Sequence, residues 1–195
     1  MENCRQRLIS RGPTLVGLLL VAAGLAAVIA ISGARAATPS FAQGRAQQIS
    51  SGTTNTLAFN NPNTVGNLIV VYVVWGNTDS VTLSDSNGNT YAPVAPATSW
   101  GNGNAWRSQV FYAKSIAGGA NTVTARFGTA ITSFGQVYIH EYSGLDRTDP
   151  VDKTTAATGS PRSMSSGSVT TTNAEDLLFG AGASSTDVIV RRVPR

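Results

Sequence analysis

The sequence predicts an all-β protein: an antiparallel β-sandwich, jelly-roll-like, behind an N-terminal signal helix. Three observations carry this. The run Asn67–Trp75 is the most apolar stretch outside the N-terminus, and after Asn67 and Leu68 every residue in it is β-branched or aromatic. Such side chains suit a pleated sheet better than a helix. Past Ile31 the chain breaks into short alternating runs separated by Gly, Asn and Pro, with no amphipathic helix of about ten residues. Charged residues make up 12% against a usual ~25%, while 42% are hydrophobic and cluster into runs, so the chain is not disordered.

Taken in order, Arg5, Arg7 and Arg11 form a positive leader, and Leu15 to Ile31 carries no charge. Ala34-Arg35-Ala36 is a small-residue cleavage signal beside the helix-breaking Gly33. Residues 1–36 therefore read as a signal peptide and residues 37–195 as one β-sandwich domain. The alternative is an uncleaved anchor, since 17 apolar residues are just long enough to span a bilayer. Either way the chain is expected to be secreted or displayed at the cell surface, touching membrane only through this segment.

In the exported part, Ala37–Ser51 is expected to give one weak strand and Thr53–Phe59 a second. Asn67–Trp75 has two apolar alternating faces, so it is expected at the centre of a sheet, covered on both sides. A sandwich covers one face of each sheet. The second face therefore needs a lid: the Tyr91–Trp106 loop, the Gly144–Ser165 connection, or strands that the chain lacks. Ser80–Ser84 is followed by Asn87-Gly88, a β-hairpin signal, with Thr90-Tyr91 starting a return strand that Pro93 and Pro96 keep short or at an edge. Trp100–Trp106 is a Gly/Asn loop between two tryptophans. Ser108–Ser115, Asn121–Phe127 and Phe134–Tyr142 are strands, with Val123, Ala125 and Phe127 facing inward. Ser165–Thr172 and Asp176–Gly182 are two further expected strands.

Charge and cysteine content exclude several functions. The arginines concentrate at the termini, and residues 37–190 hold 7 Lys+Arg against 9 Asp+Glu, a net charge of −2. No basic stripe remains to follow a phosphate backbone, so nucleic acid is not an expected partner. The only cysteine is Cys4, which leaves the exported part without disulfides or thiolate metal sites.

Four groups could carry chemistry. Asp85, Asn87 and Asn89 place oxygen side chains at alternate positions, a candidate calcium site with help from a distant Asp146 or Asp149. The EF-hand spacing is not met, and a turn is the plainer reading. Calcium is the only cofactor the pattern suggests. Glu141, Asp146, Asp149 and Asp152 are acidic, yet nothing pairs two of them across a sugar bond. His140 is the only histidine and no Gly-x-Ser-x-Gly elbow accompanies it, so no catalytic residue is assigned. The fourth group is aromatic. Phe134, Gln136, Tyr138, His140 and Tyr142 share one strand face, and Val137, Ile139 and Glu141 the other. If Val137 and Ile139 fill the core, the first set lies outside, where rings with polar edges can stack on sugars. If the aromatics fill the core, no such face exists. Trp100, Trp106, Tyr138, His140 and Tyr142 are the candidate ligand-binding residues.

Gly66-Asn67-Leu68-Ile69-Val70-Val71, Val81–Tyr91, Phe111-Tyr112-Ala113-Lys114, Ala120–Thr124, Glu141–Asp146 and Asp176–Gly180 together resemble a secreted bacterial β-sandwich module. Such modules are Ig-like or jelly-roll-like and stand beside fibronectin-III domains in large surface proteins. The resemblance covers about residues 40–185 and implies fold and compartment, not a reaction. Similar modules continue past the Asp-Leu-Leu-Phe-Gly stretch, so the chain is expected to lack its last strands. The expected function is a non-catalytic module binding a glycan, another cell-surface polymer or another extracellular surface. The alternatives are a glycan-active hydrolase using Glu141 with a loop aspartate, and a spacer cut from a larger surface protein.

Overall fold

A computed structural model describes residues 38–159 and 164–184. The expected signal segment, residues 1–36, lies outside them. Among the described residues no helix is long and apolar enough to cross a membrane.

The runs rich in β-branched and aromatic residues form nine strands: β1 (Ser40–Ile49), β2 (Gly52–Ala58), β3 (Leu68–Trp75), β4 (Val81–Asp85), β5 (Ala92–Pro93), β6 (Thr98–Trp100), β7 (Trp106–Ala113), β8 (Thr122–Ile131) and β9 (Gly135–Ser143). They build two antiparallel sheets. The larger has the order β1-β9-β3-β7-β5, with β6 also paired to β7, and the smaller has the order β2-β8-β4. The protein is an antiparallel β-sandwich.

β3 is the third strand of the larger sheet and all eight of its residues are buried, as its two apolar faces require. Ile69, Val71, Val73 and Trp75 point at the smaller sheet, where they meet Leu57, Val81, Val123, Ala125 and Phe127, alongside Val137 and Ile139 from β9. Val123, Ala125 and Phe127 face inward, and Arg126 between them is exposed. Burying a Val, Ile or Leu is worth about 1.5–3 kcal/mol per side chain. A net hydrogen bond is worth about 0.5–1.5 kcal/mol, so this layer decides how the sheets pack. Trp75 also satisfies its indole N–H, which donates to the Asp79 carbonyl at 2.9 Å.

Consecutive strands β1 and β2 carry the chain from one sheet to the other, and side chains close that side of the sandwich. Arg45 donates to the Ala58 carbonyl at 2.9 Å, and Asn55 donates to the Gln47 carbonyl at 3.1 Å. Both carbonyls lie on edge strands, where unpaired groups invite pairing with another chain. β1 is the strand expected within Ala37–Ser51, and it pairs with β9 from Ser40 to Ile49, with one bulge between Phe41 and Gln43.

Three expectations are corrected. Asn87-Gly88 is a turn with Gly88 at φ +72°, but not a β-hairpin: β4 pairs with β8 in the smaller sheet and β5 with β7 in the larger. The turn lifts the chain from one sheet to the other, because Asp85 gathers donors from both sides of it. Thr90-Tyr91 likewise starts no return strand beside β4; the short edge strand that follows is β5. Finally, residues 165–172 and 176–182 form no strand. The first has little apolar surface, and its Val169 is exposed. The second crosses the face of the larger sheet instead of lying along an edge, and ladder hydrogen bonds exist only at edges.

That crossing supplies the second cover for β3. Leu68, Val70 and Tyr142 form an outer cluster with Val110, Tyr112, Leu145, Leu177 and Phe179. Leu145 comes from the expected connection after β9. Leu177 and Phe179 come from the stretch expected to be a strand. The Tyr91–Trp106 stretch instead contributes β5 and β6 to the same sheet.

Candidate functional site

Strand alternation sorts the aromatic residues. With Val137 and Ile139 in the core, Gln136, Tyr138, His140 and Tyr142 must point away from it. Register then sets their neighbours. Tyr142 stands opposite Leu68 and Phe41, His140 opposite Val70 and Gly44, Tyr138 opposite Tyr72 and Ala46, and Gln136 opposite Val74 and Gln48. On the far side of β3, Tyr112, Val110 and Ser108 continue the same rows. One step further along, Trp106 pairs with Trp100 of β6. All five candidate binding residues therefore share the outer face of the larger sheet. Four two-residue steps separate the row of Tyr142 from that of Trp106, about 27 Å along the strands. None of the outward strand positions carries Asp, Glu, Lys or Arg.

The two ends of this face differ. At one end the loop between the tryptophans is the turn of a hairpin joining β6 to β7, and it needs positive φ at Gly101 (+82°) and Gly103 (+67°). Trp106 packs on Phe134 with ring centroids 5.7 Å apart. At the other end, His140 and Tyr142 stack at 6.3 Å and 29°. Phe41 meets Tyr142 edge-on at 5.7 Å, and Phe179 meets His140 edge-on at 5.5 Å. Tyr72 and Tyr138 lie between the ends, 5.9 Å apart. A cavity of about 450 Å³ opens here, lined by Tyr72, Tyr138, His140 and Tyr142 and by residues 178–182.

Burial sets the electrostatics of this cavity. It pushes the His140 imidazole below its ordinary value, towards the neutral form, and pushes the Tyr142 phenol up. Tyr72 is also raised, by burial first, against the hydrogen bond it shares with Ser108. Nδ1 of His140 is shut off from solvent without a hydrogen-bond partner.

The acidic candidates do different work. Glu141 points inward from β9 and is 1% exposed. Its Oε2 accepts from Gln43 Nε2 and Asn63 Nδ2, both at 2.7 Å, and its Oε1 from Thr64 N at 2.8 Å and Asn67 Nδ2 at 2.7 Å. Burial opposes the charge, but these four donors outweigh it and hold the carboxyl below its ordinary range. The carboxylate ties β1 and β9 to the β2–β3 connection. Asp146 instead caps an exposed turn, accepting from Thr148 and from Asp149 N, and its carboxyl falls to about 2. Asp152 likewise accepts from the Thr172 backbone and hydroxyl. No geometry pairs Glu141 with a loop aspartate around an open site.

Asp85 organises the turn between the sheets. Oδ1 accepts from Asn87 N and Asn89 N at 3.1 and 3.0 Å. Oδ2 accepts from Asn89 Nδ2, Tyr91 Oη and Asn121 Nδ2 at 2.8, 2.8 and 2.9 Å. Asn89 Oδ1 accepts from Ala117 N at 2.8 Å, and Asn87 Nδ2 donates to the Gly118 carbonyl at 3.3 Å. The three residues proposed for calcium thus lie together, with their polar atoms turned to protein partners. Among the described residues no group of three or more His, Cys, Asp or Glu could hold a metal.

Two contributors escaped sequence reasoning. Tyr72 sits in a strand whose two faces are both apolar, so composition does not mark it, and only the pairing of β3 with β9 sets it beside Tyr138 on the outer face. Phe179 sits in a stretch whose Leu177, Leu178 and Phe179 signal burial but not the surface that is covered. The fold and site define an antiparallel β-sandwich whose larger sheet carries aromatic and no charged residues at its outward strand positions. No family model matches the chain, and neither a curated protein nor a solved structure does.

Proposed function

We propose that this chain is an exported, non-catalytic β-sandwich module that binds carbohydrate on the outer face of its larger sheet. The observation that carries the reading is the convergence of Trp100, Trp106, Tyr138, His140 and Tyr142 on one face free of charged strand residues. Aromatic faces hold the apolar C–H faces of sugars while phenol, imidazole and amide groups bond hydroxyls. Gln136, Gln48 and Ser108 supply such amides and hydroxyls in the same rows. The arginine-flanked apolar leader and the Ala34-Arg35-Ala36 signal support export. The charge-poor composition fits a surface module of the kind found in large bacterial surface proteins. The buried and fully bonded Glu141 favours a binding role over hydrolysis.

The test is retention on a panel of insoluble and soluble polysaccharides for the parent and for Trp100→Ala, Trp106→Ala and Tyr142→Ala. Retention weakens in at least one single variant and is lost when the three are combined. Unchanged retention of the triple variant on every polymer that binds the parent would remove the aromatic argument.

A further inference from the structure

The geometry points to an uncharged glycan as the ligand, held at the Tyr72–Tyr138–Tyr142 cavity with Nδ1 of His140 bonding one of its hydroxyls. This deepens the carbohydrate reading above and rests on it. Three observations carry it. The outward strand positions bear no charge of either sign, so nothing there neutralises a carboxylate, sulfate or amine on a sugar, and burying such a charge unpaired is costly. An open depression of about 450 Å³ lies at this end of the face, a volume within the range of small-ligand sites. His140 Nδ1 is a buried polar atom with no partner, which is uncommon in a folded protein and calls for one.

A sugar hydroxyl suits that nitrogen because it both donates and accepts. Neutral imidazole carries one N–H and one lone-pair nitrogen, and a hydroxyl satisfies either tautomer. The side chain is positioned for this by its neighbours. Gly44 opposite leaves room for the ring, and Tyr142 stacks on it. Nδ1 is closed to solvent, and Phe179, from the segment that forms one wall of the cavity, meets the ring edge-on. Among the described residues, no backbone hydrogen bond ties 177–182 to the sheet. Leu177 and Phe179 hold the segment there through packing on the outer cluster. A ligand can therefore enter by displacing side-chain contacts alone.

Affinity electrophoresis of the purified full chain through gels containing neutral β-glucan, neutral mannan, polygalacturonate or chitosan separates the outcomes. A neutral polymer retards the protein, equally at low and high salt. His140→Ala and Tyr138→Ala each weaken retardation about tenfold or more, whereas Trp100→Ala weakens it less than about threefold. In the parent protein, the His140 ring-nitrogen NMR resonances move on adding the bound oligosaccharide, a readout that needs no variant to fold. Retardation by polygalacturonate or chitosan alone, lost in salt, overturns the uncharged-ligand inference but keeps the carbohydrate reading. Loss with Trp100→Ala and none with His140→Ala overturns the placement and again keeps that reading. No retardation by any of the four polymers, with His140 resonances unmoved by their oligosaccharides, overturns both.

Discussion

Gly44 lies directly opposite His140 in the β1–β9 ladder, and a Cβ on Gly44 would stand 2.8 Å from His140 Cδ2 and 3.1 Å from the Ile139 carbonyl. The missing side chain on an edge strand is what lets the imidazole lie over β1 against Phe41. Gly44→Ala is expected to push the ring off this position and to destabilise the fold by about 1–3 kcal/mol, as overpacking does. Urea unfolding measures the cost, and the His140 ring proton shifts report the displacement. An Ala variant with parental stability and parental shifts would show that the contact relaxes freely.

Glu141 is the polar counterpart of the hydrophobic core. Glu141→Gln keeps the shape but turns an amide donor towards four donors, so at least one buried N–H loses its acceptor. The expected loss is about 2–3 kcal/mol at pH 7, read as a lower urea midpoint with an unchanged slope. The sign of its pH dependence follows from the lowered carboxyl. The native protein binds this proton more weakly than the unfolded chain. The stabilisation is therefore complete above the ordinary value of 4.5 and disappears as pH falls through the lower folded value. The parent loses stability over that acidic window, and the Gln variant loses less. Parallel stability curves for the two proteins between pH 6 and pH 3 would contradict the assignment.

Asp85 carries the connection between the sheets, and its carboxyl is also lowered: burial opposes the charge, but donors from Asn121, Asn89 and Tyr91 prevail. The Tyr91 phenol is raised in turn, by burial first and by the Asp85 charge next. Asp85→Ala is expected to cost about 2–3 kcal/mol and Tyr91→Phe about 1–2 kcal/mol. The double variant should cost less than the sum, because the two share a bond. Because both Asp85 oxygens are occupied by protein donors, millimolar calcium is expected to leave the thermal midpoint unchanged. A calcium-dependent rise, reversed by chelator, would show that the asparagine amides turn over to admit an ion.

What could be read in the chain depended on the range of the interaction. The inward set Val123, Ala125 and Phe127 and the inward pair Val137 and Ile139 follow from alternation, a property of neighbouring residues. The centrality of β3 follows in the same way from its two apolar faces. The destination of Asn87-Gly88 does not. A turn of that type serves a hairpin or a crossing between sheets, and the choice rests on Asn121, 36 residues from Asp85. The role of Glu141 is equally hidden, since Gln43 lies 98 residues away and Asn67 lies 74 away. Leu177 and Phe179 announce burial by their composition. Whether they pair at an edge or cross a face depends on which edges and faces the rest of the chain leaves open.

Phe179 tests the cover directly. Its ring stands 5.5 Å from His140 and 6.5 Å from Tyr142, and between it and Leu177 lies Leu178, 79% exposed. The alternation shows that Leu177 and Phe179 face the sheet and Leu178 faces solvent. Burial alone holds the His140 imidazole below its ordinary 6.5, and no carboxylate, lysine or arginine lines its cavity. Phe179→Ala removes part of that burial, so the His140 midpoint should rise towards 6.5, measured by NMR titration of its ring protons. The linked stability has a definite sign. With a lowered folded value, His140 contributes stability above about 6.5 that is lost as pH falls through the lower folded value, and the Ala variant should lose less of it. The variant should also cost about 1–3 kcal/mol of stability, below a core Phe→Ala change, because the ring is only partly buried. Leu178→Ala, at the exposed rim of the same cavity, should move the His140 midpoint much less than Phe179→Ala does. An unmoved His140 midpoint in Phe179→Ala would mean that residues 177–182 do not rest on the aromatic face in solution.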